Sequence, residues 1–157
     1  HATKKVVFCG TFTQGELQAQ IGDGKITIAQ EGKNRKFLKR VELITFNGQD
    51  MWRKGKEVLY ITERAVFRLK EKGPELIEIA PGIDLEKDIL GQMDFRPVIA
   101  DKLKEMDPRI FCDQEMGLRN DLLGVDGVVL PATPRVRAEK MDWEGTLPRG
   151  KVSEKRR

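Results

Sequence analysis

Residues 58–69, VLYITERAVFRL, form the clearest β-strand pattern in the chain. Apolar residues alternate along one face of this stretch, as they do in a strand with one buried side. The residues on that face are Leu59, Ile61, Ala65, Phe67 and Leu69. Only Glu63 interrupts the face. Its carboxylate is either a buried acid beside a functional cleft or part of a bulge or sharp turn, satisfied by backbone donors or an arginine. We favour the structural interpretation, since a lone glutamate inside a strand more often has a structural role.

Shorter apolar runs on both sides of this stretch predict further strands. Residues 6–9 form an apolar run that is typical of a fully buried strand in a parallel sheet. Residues 17–28 alternate around Gly22-Asp23-Gly24, which supplies the positive φ angles of a tight hairpin. Residues 37–46 carry apolar side chains on both faces, so we expect a strand that is partly covered on each side.

The remaining pattern predicts one more strand, a helix and an arm. Residues 76–80 form the strand, and Asp84 is placed to cap a helix over residues 85–93. The spacing of Leu85, Ile89 and Met93 gives that helix one buried face. From Cys112 onward, prolines and glycines break the periodicity, so residues 112–157 are expected to be an extended or disordered arm. The predicted fold class is α/β.

Composition indicates a soluble globular domain. The chain has 157 residues, of which 39% are hydrophobic and 34% charged, and its longest apolar runs are too short to cross a bilayer. The net charge of +4 comes partly from the basic residues of 151–157. Such a tail can contact nucleic acid or anionic lipid, but we favour a solvated, mobile terminus. The chain begins with His1 and reaches a predicted strand at once, so we expect a fragment or a processed subunit of a longer protein.

Several kinds of active site are excluded by residue counts. The only serine is Ser153 and the only histidine is His1, so neither a Ser-His-Asp triad nor a Cys-His pair is expected. The two cysteines, Cys9 and Cys112, do not form a zinc site or a disulfide framework. We expect both to be reduced, in a cytoplasmic protein, with Cys9 as a small core residue. Phosphate-binding loops are absent, and the low aromatic content argues against nucleic acid as a partner.

Two stretches resemble a known family. Residues 4–13, KKVVFCGTFT, and residues 62–67, TERAVF, followed by Gly82-Ile83-Asp84, are similar to the end of the class I coenzyme A transferases. The similarity is greatest to the single-chain acyl-CoA:acetate/3-ketoacid, or propionate-type, group. It covers roughly residues 3–111 and does not extend to the arm.

The resemblance implies a fold, a reaction and a partner. Residues 1–111 would be the C-terminal portion of a layered αβα CoA-transferase domain with added β-hairpins. The family moves CoA between an acyl-CoA and a short-chain carboxylate, acetate or a 3-keto acid, through a glutamyl-CoA thioester. The family's nucleophilic glutamate lies upstream of anything in this chain, so catalytic residues are expected to be outside it. The chain would be inactive alone and would need the upstream part of the same enzyme. CoA would be a substrate, with no permanently bound cofactor or metal. The expected assembly is a homo-oligomer without membrane or nucleic acid.

Candidate substrate-binding residues follow the first predicted strand. Gly10, Thr11, Phe12 and Thr13 leave a parallel strand at its carboxyl end, where α/β sheets place ligands, so we predict that they line a CoA or acyl pocket. An ordinary loop after the strand accounts for these four residues equally well. Glu63 is the fifth candidate, although we do not expect it to be the nucleophile.

A basic patch and a second function remain open. The patch contains Lys33, Arg35, Lys36, Lys39 and Arg40. It could attract the phosphates of CoA, but we favour a solvated surface. The alternative to a transferase is a β-rich binding or assembly module without catalysis, which the lack of an acid, base and nucleophile set favours.

Overall fold

The computed structural model describes residues 3–124. Its strands are β1 (Lys5–Cys9), β2 (Thr13–Gln14), β3 (Gln18–Gly22), β4 (Lys25–Gln30), β5 (Asn34–Arg35), β6 (Glu57–Ile61), β7 (Ala65–Lys70), β8 (Gly73–Ile79) and β9 (Val98–Glu105). Its helical segments are α1 (Gly48–Arg53), a π-helical turn (Leu85–Ile89), two 3-10 turns (Leu90–Gln92 and Pro108–Phe111) and α2 (Leu118–Leu123). Helix α2 belongs to a separate unit that begins at Leu118. Residues 125–157 of the predicted arm lie outside the described residues, so the predicted domain boundary stays a prediction.

Five strands form the main sheet, in the order β1-β6-β7-β8-β9. The two outer pairs, β1 with β6 and β8 with β9, are parallel, whereas β7 is antiparallel to both of its neighbours. The sheet is thus mixed, and the predicted α/β class is confirmed. In the described residues, β1 is an edge strand whose outer hydrogen-bonding side has no partner strand.

A sharp turn divides the stretch that was predicted as one strand. Residues 62–64 connect β6 to β7, and the Thr62 amide donates to the Ala65 carbonyl oxygen at 2.9 Å. The Thr62 hydroxyl oxygen in turn accepts the Ala65 amide at 3.0 Å. The alternative of a sharp turn at Glu63 is therefore confirmed, because these two bonds close a turn between Thr62 and Ala65. The alternation of apolar residues resumes in β7.

Hydrophobic side chains cover both faces of the sheet around β7. Ala65 and Phe67 belong to one buried cluster, together with Phe12. Val66 belongs to a second cluster, together with Ile26 from β4. Successive side chains of a strand point to opposite faces. The β3–β4 hairpin therefore packs on one face of the sheet, and the segment that follows β1 packs on the other.

Two local predictions are confirmed. Strands β3 and β4 pair antiparallel, and Asp23 and Gly24 take φ angles of 51° and 76° at their turn. Asp84 caps the next helical segment, because its carboxylate accepts the Lys87 amide at 2.7 Å. The segment is a π-helical turn followed by a 3-10 turn, not the regular α-helix expected, although Ile89 is buried as predicted.

Three expectations about burial and pairing are wrong. Strand β1 is parallel but not fully buried, since Val7 and Phe8 are exposed at the sheet edge. Cys9 is also exposed, so it is not a core residue. Residues 37–46 form no strand, because no described segment pairs with them. Strand β9 follows Pro97 where no strand was predicted, because its many charges obscure the alternation.

Candidate functional site

A cleft of about 440 Å³ lies where the parallel strands β1 and β6 end. Gly10 and Thr11 line it from the end of β1, and Thr62 lines it from the end of β6. The remaining wall is mostly apolar and includes Phe8 and Tyr60, whose rings stack at 5.4 Å between centroids. The carboxyl ends of parallel strands are where α/β proteins bind ligands, so this cleft is the candidate site.

The structure separates the predicted site residues into two groups. Gly10 and Thr11 line the cleft. Phe12 and Thr13 are fully buried behind the cleft. Glu63 does not line the cleft, and its carboxylate binds the Phe12 amide and Arg64. Substrate binding by any of the five stays a prediction. The geometry favours direct contact with a ligand only for Gly10 and Thr11.

Glu63 connects the β6–β7 turn to the segment that leaves β1. One carboxylate oxygen accepts the Phe12 amide at 2.7 Å, and the other accepts Nε of Arg64 at 2.7 Å. The carboxylate is thus satisfied by a backbone donor and an arginine, as the structural interpretation of Glu63 requires. This interaction spans 51 residues of sequence.

Arg64 is fully buried and is held by several acceptors. Its guanidinium donates to Glu63, to both carboxylate oxygens of Glu31 at 2.5 and 3.2 Å, and to the Asp88 carbonyl oxygen at 3.1 Å. It also lies 5.1 Å from the centre of the Phe12 ring. A buried charge is tolerated only where it is paired and hydrogen-bonded, and these contacts meet that requirement.

Glu31 extends this network from Phe12 to the following residue, Thr13. Its Oε2 accepts the Thr13 hydroxyl at 2.9 Å, and the hydroxyl oxygen of Thr13 accepts the Gly32 amide at 3.0 Å. Thr13 is also paired through β2 with β5. The two residues that follow the cleft-lining pair are therefore each bonded to a carboxylate that Arg64 holds.

Lys36 supplies a positive charge at the cleft. Its Nζ donates to the Thr11 carbonyl oxygen at 2.6 Å, and a methyl group placed on Gly10 would lie 3.2 Å from the same Nζ. The ammonium group therefore lies directly against the cleft-lining backbone. An ammonium group beside apolar walls suits a ligand that combines an acyl group with a negative charge.

Comparison with known proteins identifies the family. The chain is 56% identical over 115 residues to the acetate CoA-transferase YdiF of Escherichia coli O157:H7, a match that covers 73% of the chain and 22% of that protein. It is 50% identical over 117 residues to the caffeate CoA-transferase of Acetobacterium woodii, covering 74% of the chain and 22% of that protein. The matched residues belong to the CoA-transferase family. No protein-family model matches the chain.

A solved CoA-transferase structure matches the same share of the chain. The acyl-CoA transferase YdiF, crystallised as a thioester complex with CoA, is 57% identical, has a TM-score of 0.71, and is matched over 73% of this chain and 22% of its own. This agreement confirms the predicted resemblance and the mixed α/β fold. The chain spans about a fifth of the length of the CoA-transferases that it matches.

The sequence pattern did not single out Arg64, which is the centre of the hydrogen-bond network behind the cleft. The pattern predicted an arginine only as one partner for the Glu63 carboxylate, and it gave no role to Glu31. The pattern contained one usable sign, since two adjacent charges, Glu63 and Arg64, interrupt an otherwise apolar stretch. The connection to Glu31 had no local sign, because that residue lies 33 positions from Arg64.

The described residues contain no group of three or more His, Cys, Asp or Glu side chains that could hold a metal ion. None of the helices in residues 3–124 is long and apolar enough to cross a membrane.

The close approach at Gly32 leads to a stability prediction. A methyl group on Gly32 would lie 2.6 Å from the Gln14 carbonyl oxygen and 2.7 Å from its amide nitrogen, so backbone must move. We expect Gly32→Ala to lower the free energy of unfolding by about 1–3 kcal/mol, measured by urea denaturation. Gly22→Ala is the control, since no atom lies within 4 Å of the added methyl group. Equal losses in the two variants would contradict the predicted clash.

Tyr60 leads to a prediction about pH. Burial raises the pKa of the Tyr60 hydroxyl above its ordinary value of 10.0, because the phenolate is poorly solvated in the cleft wall. The corresponding stability is fully present below pH 10 and is lost as the pH rises through the pKa of the folded protein. We expect Tyr60→Phe to reduce the loss of stability as the pH rises above 10, measured by urea denaturation at each pH. The same loss in both proteins would show that Tyr60 does not titrate in this way.

Proposed function

We propose that this chain is the C-terminal part of a class I CoA transferase, which moves CoA between an acyl-CoA and a short-chain carboxylate. The single observation behind this proposal is the 56% identity, over 115 residues, to an acetate CoA-transferase. Acetate and 3-keto acids are the proposed class of acceptor. The cleft supports the proposal, since Gly10 and Thr11 bring backbone against an apolar cavity with Lys36 at its side.

The proposed reaction uses a glutamate outside this chain. Its carboxylate attacks the thioester carbonyl of the acyl-CoA, which releases the CoA thiolate and leaves an acyl-glutamyl anhydride. The thiolate then attacks the glutamyl carbonyl, which releases the acyl group as a free carboxylate and leaves a glutamyl-CoA thioester. An acceptor carboxylate reverses the two steps and departs as the new acyl-CoA. In this scheme Gly10 and Thr11 contact the acyl-CoA, and Lys36 balances its negative charge.

The proposed partner is the remaining part of the same enzyme. The CoA-transferases that match are between four and five times as long as their matched portion, which is 22% of each. Two surfaces of this chain are uncovered in the described residues. One is the outer edge of β1. The other is the apolar segment after the basic patch, where the exposed fraction is 75% for Leu43 and 73% for Ile44. Buried apolar side chains stabilise a protein, and exposed ones of this size mark a contact surface. We propose that the remaining part covers both surfaces, and that the chain is inactive without it. The assembled enzyme is proposed to be a cytoplasmic homo-oligomer.

The test is reconstitution of the two parts. This chain is mixed with a separately produced upstream part of a related CoA transferase, acetyl-CoA is added, and the mixture is trapped with borohydride or hydroxylamine. Mass spectrometry is expected to find a modified glutamate on the upstream part and none on this chain. The control is each part alone, which should give no modification.

Two results would contradict the proposal. If the parts form a complex but neither acquires a CoA adduct, the transferase function fails and a non-catalytic assembly module is supported. If this chain alone forms the adduct, the proposed position of the nucleophile is wrong.

A further inference from the structure

The guanidinium of Arg64 binds no residue that lines the cleft, although the Arg64 backbone amide donates to the hydroxyl of the cleft-lining Thr62 at 3.4 Å. The cleft is lined by Gly10 and Thr11, and the guanidinium lies behind them beside Phe12. Both carboxylates that Arg64 binds nevertheless use their second oxygen on the same segment of chain. Glu63 accepts the Phe12 amide, and Glu31, which directly follows β4, accepts the Thr13 hydroxyl.

We propose that Arg64 is a positioning residue, which fixes the backbone of Gly10 and Thr11 at the cleft. It does so through Glu63, which holds the Phe12 amide, and through Glu31, which holds the Thr13 side chain. The segment is therefore fixed immediately after the residues that line the cleft.

The chemistry of arginine explains why this residue type is needed here. A guanidinium presents five N–H donors in a rigid planar fork, so it can orient two carboxylates and a carbonyl group at once. Here Nε binds Glu63, while Nη1 and Nη2 bind Glu31. A lysine ammonium is a compact charge with no fixed plane, so it cannot hold both carboxylates in the same geometry. A buried ion pair adds little stability compared with apolar residues, so orientation is the better explanation for its presence.

The first test measures the Phe12 amide in the full 157-residue chain. Arg64→Lys keeps the charge and removes the fork. Hydrogen exchange followed by NMR is expected to show roughly tenfold or faster exchange of the Phe12 amide, because its charged acceptor is no longer held in place. Arg68→Lys is the matched control, since Arg68 lies in β7, beyond the turn that carries Arg64, and binds Glu75 in a partly exposed ion pair. The control should leave the Phe12 amide unchanged. Unchanged exchange in Arg64→Lys would overturn the proposal.

A second variant, Glu63→Gln, tests the proposal if Arg64→Lys does not fold. Glu63→Gln keeps the size of the side chain and leaves Arg64 in place, but weakens the acceptor for the Phe12 amide. Exchange of this amide is expected to rise in Glu63→Gln, while exchange of the Ala80 amide, which bonds to the Arg64 carbonyl oxygen, is expected to stay the same. A parallel rise at both amides would indicate general loosening and would overturn the positioning role.

The second test concerns substrate binding, and for this step the inference rests on the proposed function. In the reconstituted enzyme, Arg64→Lys is expected to raise the KM for acetyl-CoA roughly tenfold with a smaller effect on kcat, because ligand contacts at Gly10 and Thr11 are displaced. Arg68→Lys should change neither constant. An unchanged KM together with faster Phe12 exchange would overturn the link to the ligand. Absence of activity in the unsubstituted enzyme would contradict the proposed function and leave the exchange test of Arg64 standing.

Discussion

Replacing Phe67 with alanine is expected to lower the free energy of unfolding by about 3–5 kcal/mol. Phe67 is fully buried in the middle strand of the sheet, and its ring lies 5.0 Å from the Phe37 ring and 6.2 Å from the Phe12 ring. Alanine would leave a cavity between these rings that the surrounding strands cannot fill. The total stability of a domain is of order 5–15 kcal/mol, so the loss would be a large fraction of it.

The measurement is urea denaturation followed by circular dichroism. Phe8→Ala is the control, because Phe8 undergoes the same chemical change on the exposed edge strand. Its expected loss is about 1 kcal/mol. Similar losses for the two variants would show that the aromatic cluster around Phe67 does not form the main core. Phe37 lines the cleft and packs against Phe67, so we also expect the cleft wall to loosen when Phe67 is removed.

Replacing Arg64 with methionine is the second change with a large expected effect. Methionine fills most of the same volume but leaves Glu31 and Glu63 without the cation that binds them. Removing one partner of a buried ion pair costs about 3–5 kcal/mol, because the remaining charge is poorly solvated. We expect a loss of this size in the free energy of unfolding, again measured by urea denaturation.

Two comparisons separate this effect from a general loss of packing. Arg68→Met breaks an ion pair with Glu75 that is partly exposed, and its expected cost is about 1 kcal/mol or less. Adding Glu31→Gln to Arg64→Met should restore part of the lost stability, because it removes one of the unpaired charges. If the two substitutions are simply additive, Arg64 and Glu31 do not act as a pair.

Local signals in the sequence were sufficient for some elements. Gly22-Asp23-Gly24 supplied the φ angles of the β3–β4 hairpin, and Asp84 supplied a helix cap, because each depends on only a few adjacent residues. The parallel character of β1 was also predicted from its apolar run. Such features follow from backbone preferences that do not require the rest of the fold.

Local signals failed where burial depends on a distant partner. Apolar residues in 37–46 predicted a strand, but no described segment pairs with them, and Leu43 and Ile44 are exposed. The same reason applies to Val7 and Phe8 on the sheet edge. Hydrophobic alternation predicts that a side chain will be buried, but it does not predict which part of a protein will bury it.

The sequence by itself determined the resemblance to CoA transferases and the α/β class. It also placed Gly10 and Thr11 at the end of a parallel strand. Only the tertiary structure decided that Phe12 and Thr13 lie behind the cleft, and that Arg64 is connected to both through Glu63 and Glu31. The physical reason is separation along the chain: the Phe12–Glu63 bond spans 51 residues and the Arg64–Glu31 pair spans 33, so only folding brings these groups within hydrogen-bonding distance.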